Sequence, residues 1–226
     1  MKSFVFFVTF VSVVATTVGT FSYQRMPQKL RIVAMGDSTT AGTPGWKSPL
    51  EAPPDGAGEV TSQYAYWLMK AHPEWDVLNR GVNGERSDQV RARFGRDVID
   101  AKPAVVVLIA GVNDVYQGRP ASFVDGELRA MYDQAAKAGI RVVAGTIIPY
   151  NTATPDQNAR MHEINRWIRR QADTGAAIAF VDTRAAAAAS NDPDRLFESP
   201  DGLHPSAAGY RRMAEAVQRV LEKDTK

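Results

Sequence analysis

The stretch Leu30–Arg31–Ile32–Val33–Ala34–Met35–Gly36–Asp37–Ser38 decides how this chain is read. Leu30 to Met35 is a short apolar run with Ile and Val at its centre, the pattern of a strand buried in a sheet. It breaks off into Gly36-Asp37-Ser38-Thr39-Thr40-Ala41-Gly42, a cluster of small and turn-forming residues. A hydroxyl just past the end of a rigid strand projects into a crevice while its backbone stays fixed, which suits a nucleophile. It equally suits a helix cap, the commoner role of an isolated serine in that position. Chemistry at Ser38 therefore depends on what else the chain can bring to it.

Working outward, the strand signal recurs at Asp76–Asn79, Ala104–Ala110, Arg141–Ile148 and Ile178–Val181. Ala104–Ala110 shows no alternation, so it is expected to be covered on both faces, as in a parallel sheet. Between these runs the spacing predicts helices over Thr61–Ala71, from Ser87 to about Asp100, and over Phe123–Ala138, Pro155–Gln171 and Pro205–Lys223. A short helical turn is expected at Ala185–Ala189 and a loop at Asp192–Asp194. This alternation argues for one parallel sheet with helices on both faces. Thr43–Val60 carries Pro44, Pro49, Pro53 and Pro54 among glycines and cannot be a helix or central strand. It reads as a long loop next to Ser38, either a cover or a linker. As a cover, it would bring Trp46 to the substrate. Arg91, Arg93 and Arg96 read as a solvated helix face, and Asp37 and Asp114 as braces for their turns.

The composition narrows the chemistry. A chain of 226 residues with 44% hydrophobic content can bury one sizeable core. Its formal charge of +2, spread along the chain, gives no ground for a nucleic-acid partner. With no cysteine, disulfides, thiolate nucleophiles and cysteine metal sites are excluded. Any imidazole must come from His72, His162 or His204. There is no His-Glu-x-x-His, phosphate-binding loop or dinucleotide fingerprint, so neither metal nor cofactor is expected. Lys2, the apolar run Phe4–Val14 and the small residues to Thr20 describe a secretory signal peptide over residues 1–20. Its apolar part is shorter than the ~20 residues that a spanning helix needs, so cleavage is expected rather than an uncleaved anchor. The remaining domain is expected over residues 28–226, outside the cytoplasm, with no stable membrane span.

Ligands of open parallel sheets bind beyond the carboxyl ends of the strands. The first three such ends carry Ser38, Gly81 and Asn113, while Asp201 and His204 sit on a short proline-bounded loop before the last helix. These are the parts that ester hydrolysis needs. His204 can take the Ser38 proton, with Asp201 holding its other nitrogen. The backbone N–H groups of Ser38 and Gly81 and the Asn113 amide can face an oxyanion, each worth on the order of 3 kcal/mol.

Gly36-Asp37-Ser38, Gly81 within Arg80-Gly81-Val82-Asn83-Gly84, Gly111-Val112-Asn113-Asp114 and Asp201-Gly202-Leu203-His204-Pro205 resemble the four sequence blocks of the SGNH hydrolases, or GDSL esterases/lipases. The blocks occur in the family's order and span nearly all of the chain after the export segment. The resemblance implies a flavodoxin-like three-layer α/β/α domain with a five-stranded parallel sheet. It implies hydrolysis of esters or thioesters through an acyl-enzyme without metal. Ser38, His204 and Asp201 match the triad, and Ser38, Gly81 and Asn113 the oxyanion donors. Gly-Asp-Ser-Thr stands where the family name has Gly-Asp-Ser-Leu. The expected partner is a small-molecule ester, with short acyl groups favoured. Lipid acyl chains, thioesters and a non-catalytic carbohydrate- or lipid-binding role are the alternatives.

Overall fold

The computed structural model describes Met1 and residues 29–175 and 177–223, so the expected signal peptide lies outside the described residues. Five strands, β1 (Leu30–Gly36), β2 (Trp75–Gly81), β3 (Val105–Ile109), β4 (Arg141–Gly145) and β5 (Ile178–Val181), form a parallel sheet in the order β2-β1-β3-β4-β5. The connecting helices are α1 (Ser38–Ala41), α2 (Tyr64–Ala71), α3 (Ser87–Ala92), α4 (Val112–Tyr116), α5 (Ala121–Lys137), α6 (Pro155–Thr174), α7 (Thr183–Ala187) and α8 (Ala207–Lys223).

The alternation of β1 explains the layering. Ile32 and Ala34 pack into one core with Leu68 of α2 and Met213 and Val217 of α8. Val33 and Met35 enter the other, with Val90 of α3, Leu128 of α5 and Ile164 of α6. The sheet is thus covered on both faces, the three-layer α/β/α arrangement of flavodoxin-like type. The chain steps from β1 outward to β2, then crosses back past β1 to β3. The crevice at that reversal, between the ends of β1 and β3, is where such sheets bind ligands.

Three local expectations change. The helix begun at Ser87 stops at Ala92 and gives way to a wider turn over Gly95–Ile99. Asp192–Leu196 is a strand, paired antiparallel with Ala188–Ala189. Most consequentially, Arg93 does not lie on a solvated face. It is buried, donating to Glu85 and Asp97 and to the carbonyls of Gly36 and Arg80. One guanidinium thereby clasps the carboxyl ends of β1 and β2 beneath the crevice, its charge offset by two carboxylates.

Candidate active site

Ser38 is the first residue of α1 and is 3% exposed. Asp37 caps that helix, accepting the Thr39 N–H at 3.0 Å, and Gly42 ends it in the left-handed region at φ +112°. Gly36 lets β1 pass close to β3, since a Cβ there would lie 2.1 Å from the Ile109 carbonyl oxygen. Burial pushes the Asp37 carboxyl up to about 7, against the opposing effect of the Thr39 hydrogen bonds. A raised acid stabilises the fold only while protonated, so this contribution is full below about pH 4 and is lost as pH rises towards 7. Asn caps as well as Asp and carries no charge. Between pH 5 and pH 8 Asp37→Asn is therefore expected to lose less stability than the wild type, by on the order of 2–4 kcal/mol, read from urea midpoints. Parallel slopes for the two proteins would refute the assignment.

The loop before α8 supplies the other groups. One Asp201 carboxylate oxygen accepts the N–H groups of Leu203 and His204 at 2.9 and 2.8 Å. The other lies 2.7 Å from His204 Nδ1, and His204 Nε2 lies 3.0 Å from Ser38 Oγ. Burial raises the Asp201 carboxyl, but the His204 hydrogen bond and the two N–H donors outweigh it and hold it below the ordinary range. Ser199 Oγ accepts the Gly202 N–H and donates to the His204 carbonyl, and the Gly202 carbonyl accepts the Asn151 N–H at 2.7 Å. The other two histidines are engaged elsewhere: His72 with Glu74 and Glu222, and His162 with Asp194.

Asn113 lies in α4, directly after β3, and lines the same cavity as Ser38 and His204. One of its amide hydrogens goes to the Glu85 carbonyl at 2.8 Å, which leaves the second for a ligand. Beside it, Asp114 is fully buried and accepts both the N–H and the hydroxyl of Ser87, tying α4 to the start of α3.

Gly81 ends β2 and does not line this cavity. Its N–H donates to Asn79 Oδ1 at 3.0 Å. A Cβ at Gly81 would lie 2.0 Å from the Ala41 nitrogen, so this glycine exists to let β2 and α1 touch. The neighbouring turn reaches the cavity instead, through Asn83. Trp46, which a covering loop would bring to the substrate, does not line this cavity; it lines a separate one. The Thr43–Val60 loop packs beside the site: Ser48 Oγ donates to the Gly81 carbonyl and Glu51 accepts the Asn83 N–H.

The cavity holds about 190 Å³. Beyond the polar groups, its wall is Val112, Tyr116, Tyr150 and Leu203. Tyr116 is 58% exposed and meets the buried Tyr150 edge to face at 5.9 Å, so an aromatic rim stands at the mouth. Sequence reasoning missed these four residues, although Val112, Tyr116 and Leu203 lie within or just past the blocks that carry Asn113 and His204.

Residues 34–212 match the model of the GDSL-like lipase/acylhydrolase family. An acetylxylan esterase of Geobacillus stearothermophilus is 28% identical over 194 residues, covering 75% of this chain and 87% of that protein. Among solved structures, a GDSL-like lipase from Bacteroides thetaiotaomicron superposes with a TM-score of 0.70 at 24% identity, covering 90% of this chain and 93% of its own. An acetyl-xylooligosaccharide esterase mutant from Geobacillus superposes at 0.67, also at 24% identity, with 87% and 96% covered.

Proposed function

Because the chain belongs to the GDSL-like lipase/acylhydrolase family, whose model spans residues 34–212, we propose that Ser38, His204 and Asp201 perform its hydrolysis as a nucleophilic triad. The protein is a carboxylic ester hydrolase. The unbroken path from Ser38 Oγ through His204 to Asp201, at 3.0 and 2.7 Å, carries the assignment. His204 Nε2 takes the hydroxyl proton as Oγ attacks the ester carbonyl. Asp201 holds the Nδ1 proton and stabilises the imidazolium without itself being protonated. The oxyanion is met by the Ser38 N–H and the free Asn113 amide hydrogen. The third proposed donor is the Gly81 N–H, which also lies 3.0 Å from Asn79 Oδ1. His204 then returns its proton to the departing alcohol, and water releases the acyl group by the same steps reversed.

Cavity size argues for a short acyl group. About 190 Å³ falls below the roughly 300–1,000 Å³ of pockets that bury a drug-sized ligand. An acetyl group fits inside, with the alcohol portion outside against Tyr116 and Leu203. That rim suits the ring face of an acylated sugar, in keeping with the acetylxylan esterase relative. Residues 1–20 are proposed to direct the enzyme out of the cytoplasm. The test is hydrolysis of p-nitrophenyl esters from acetyl to palmitoyl. We expect kcat/KM to fall at least about tenfold between acetyl and octanoyl, because methylenes without a pocket gain no transition-state binding. A rate that rises with chain length would favour a lipase.

A further inference from the structure

Arg93 caps the C-terminus of α3 and turns its guanidinium inward, beneath the ends of β1 and β2. Nη1 donates to the Arg80 carbonyl at 2.7 Å, and Nη2 to the Gly36 carbonyl at 2.8 Å. Nε donates to Glu85 Oε2 at 2.7 Å, and Nη1 also reaches Asp97 Oδ2 at 2.8 Å. Burying a charged side chain is expensive, and a well-packed apolar residue often serves stability as well. What the guanidinium adds is a planar fork whose bonds fix several groups at once.

Two of those bonds lead to oxyanion donors. The Arg80 carbonyl belongs to the same peptide as the Gly81 N–H. In a planar trans peptide the two point opposite ways, so holding the oxygen sets the direction of the N–H. Glu85 is the second route. Among the described residues its carboxylate pairs only with Arg93, while its own carbonyl accepts the Asn113 amide at 2.8 Å. Asp97 differs, because it also takes Arg96 on both oxygens. The guanidinium thus fixes Glu85, and the Glu85 carbonyl fixes the plane of the Asn113 amide and the direction of its second hydrogen.

We propose that Arg93 is a positioning residue for ester hydrolysis, aiming the Asn113 amide through Glu85 and the Gly81 N–H through the Arg80 carbonyl. That role rests on the triad and oxyanion donors proposed for this site. Arg93 does not line the Ser38 cavity, so it acts only through other groups. Its effect falls on the transition state, where preset donors must meet the oxygen as it gains charge.

The experiment is a set of double-mutant cycles on p-nitrophenyl acetate hydrolysis by the full chain, with melting temperatures taken alongside. Asn113→Ala is expected to lower kcat about 100-fold. Glu85→Ala is expected to lower kcat about tenfold with KM changed by less than about twofold. Glu85→Gln keeps an acceptor for Arg93 and restores most of that loss. In the Asn113→Ala background, Glu85→Ala costs less than about twofold more, because the group it aims is gone. Arg93→Lys keeps the charge without the fork. It is expected to cost more than Glu85→Ala and to retain part of its loss in the Asn113→Ala background, through Gly81. Glu85→Ala decides the matter where Arg93→Lys fails to fold. An unchanged kcat in folded Glu85→Ala, or losses that multiply in full in the double variant, overturns the proposal, and the arginine then only staples the fold. Ser38→Ala, run in parallel, tests the triad separately: activity kept there overturns the triad and this role with it.

Discussion

Ser38→Ala is expected to lose at least about 10⁴ in kcat on any ester the wild type turns over, with thermal stability unchanged. The local structure explains why the two effects separate. The Ser38 hydroxyl bonds only to His204 among the described residues, whereas the cap of α1 is made by Asp37. The backbone bonds that close this turn run from Thr40, Ala41, Gly42 and Thr43 back to the carbonyls of Asp37 and Ser38, which alanine keeps. Alanine is also the best helix former, so the first turn loses nothing. The reaction loses its nucleophile, and what remains is the rate that oxyanion donors and substrate binding give to water. Wild-type and variant protein should be compared by p-nitrophenyl acetate hydrolysis and by melting temperature. A folded variant that keeps most of its activity would show that another group attacks the ester.

The sheet was legible in the sequence because its strands are buried on both sides. Val105–Ile109 has no polar residue to interrupt it, and the run Leu30–Met35 ends in a glycine that the approach of β3 demands. The Asp201–His204 pairing was legible for a different reason. Three residues on a loop bounded by prolines leave the carboxylate few places to go, and the structure finds it against both the His204 ring and its N–H.

What escaped the sequence is the identity of partners far away along the chain. Gly81 and Gly84 are both turn glycines by composition. Only the fold shows the Asn79 side chain reaching two residues forward to the Gly81 N–H. Arg93 has the helical spacing of a surface arginine, and its burial follows from carbonyls at Gly36 and Arg80 that no local pattern reveals. Trp46 is close to Ser38 in sequence, yet the hairpin pairing of Trp46–Lys47 with Ala57–Gly58 places it in the lining of another cavity. In each case a hydrogen bond made at long range, or across a turn, decided which way a group faces.

Asp201→Asn separates the orienting role of the carboxylate from its part in building the loop. The oxygen that accepts the Leu203 and His204 N–H groups can be kept by the carboxamide, so the turn survives. The oxygen facing His204 Nδ1 becomes an NH₂ group, which donates. It forces the imidazole to carry its proton on Nε2, where it can no longer accept from Ser38. Turnover is expected to fall by about 10⁴ with little change in KM, because binding precedes the proton transfer that fails. Asp201→Ala removes the loop bonds as well, and should lower the melting temperature where Asn does not. The carboxyl of Asp201, held below its ordinary range, stays ionised at any pH above about 4, so the acid limb of the wild-type rate profile belongs to another group. Measuring kcat, KM and melting temperature for both variants separates these effects. Turnover near wild type in Asp201→Asn would mean that His204 needs no carboxylate to set its tautomer, and would remove Asp201 from the triad.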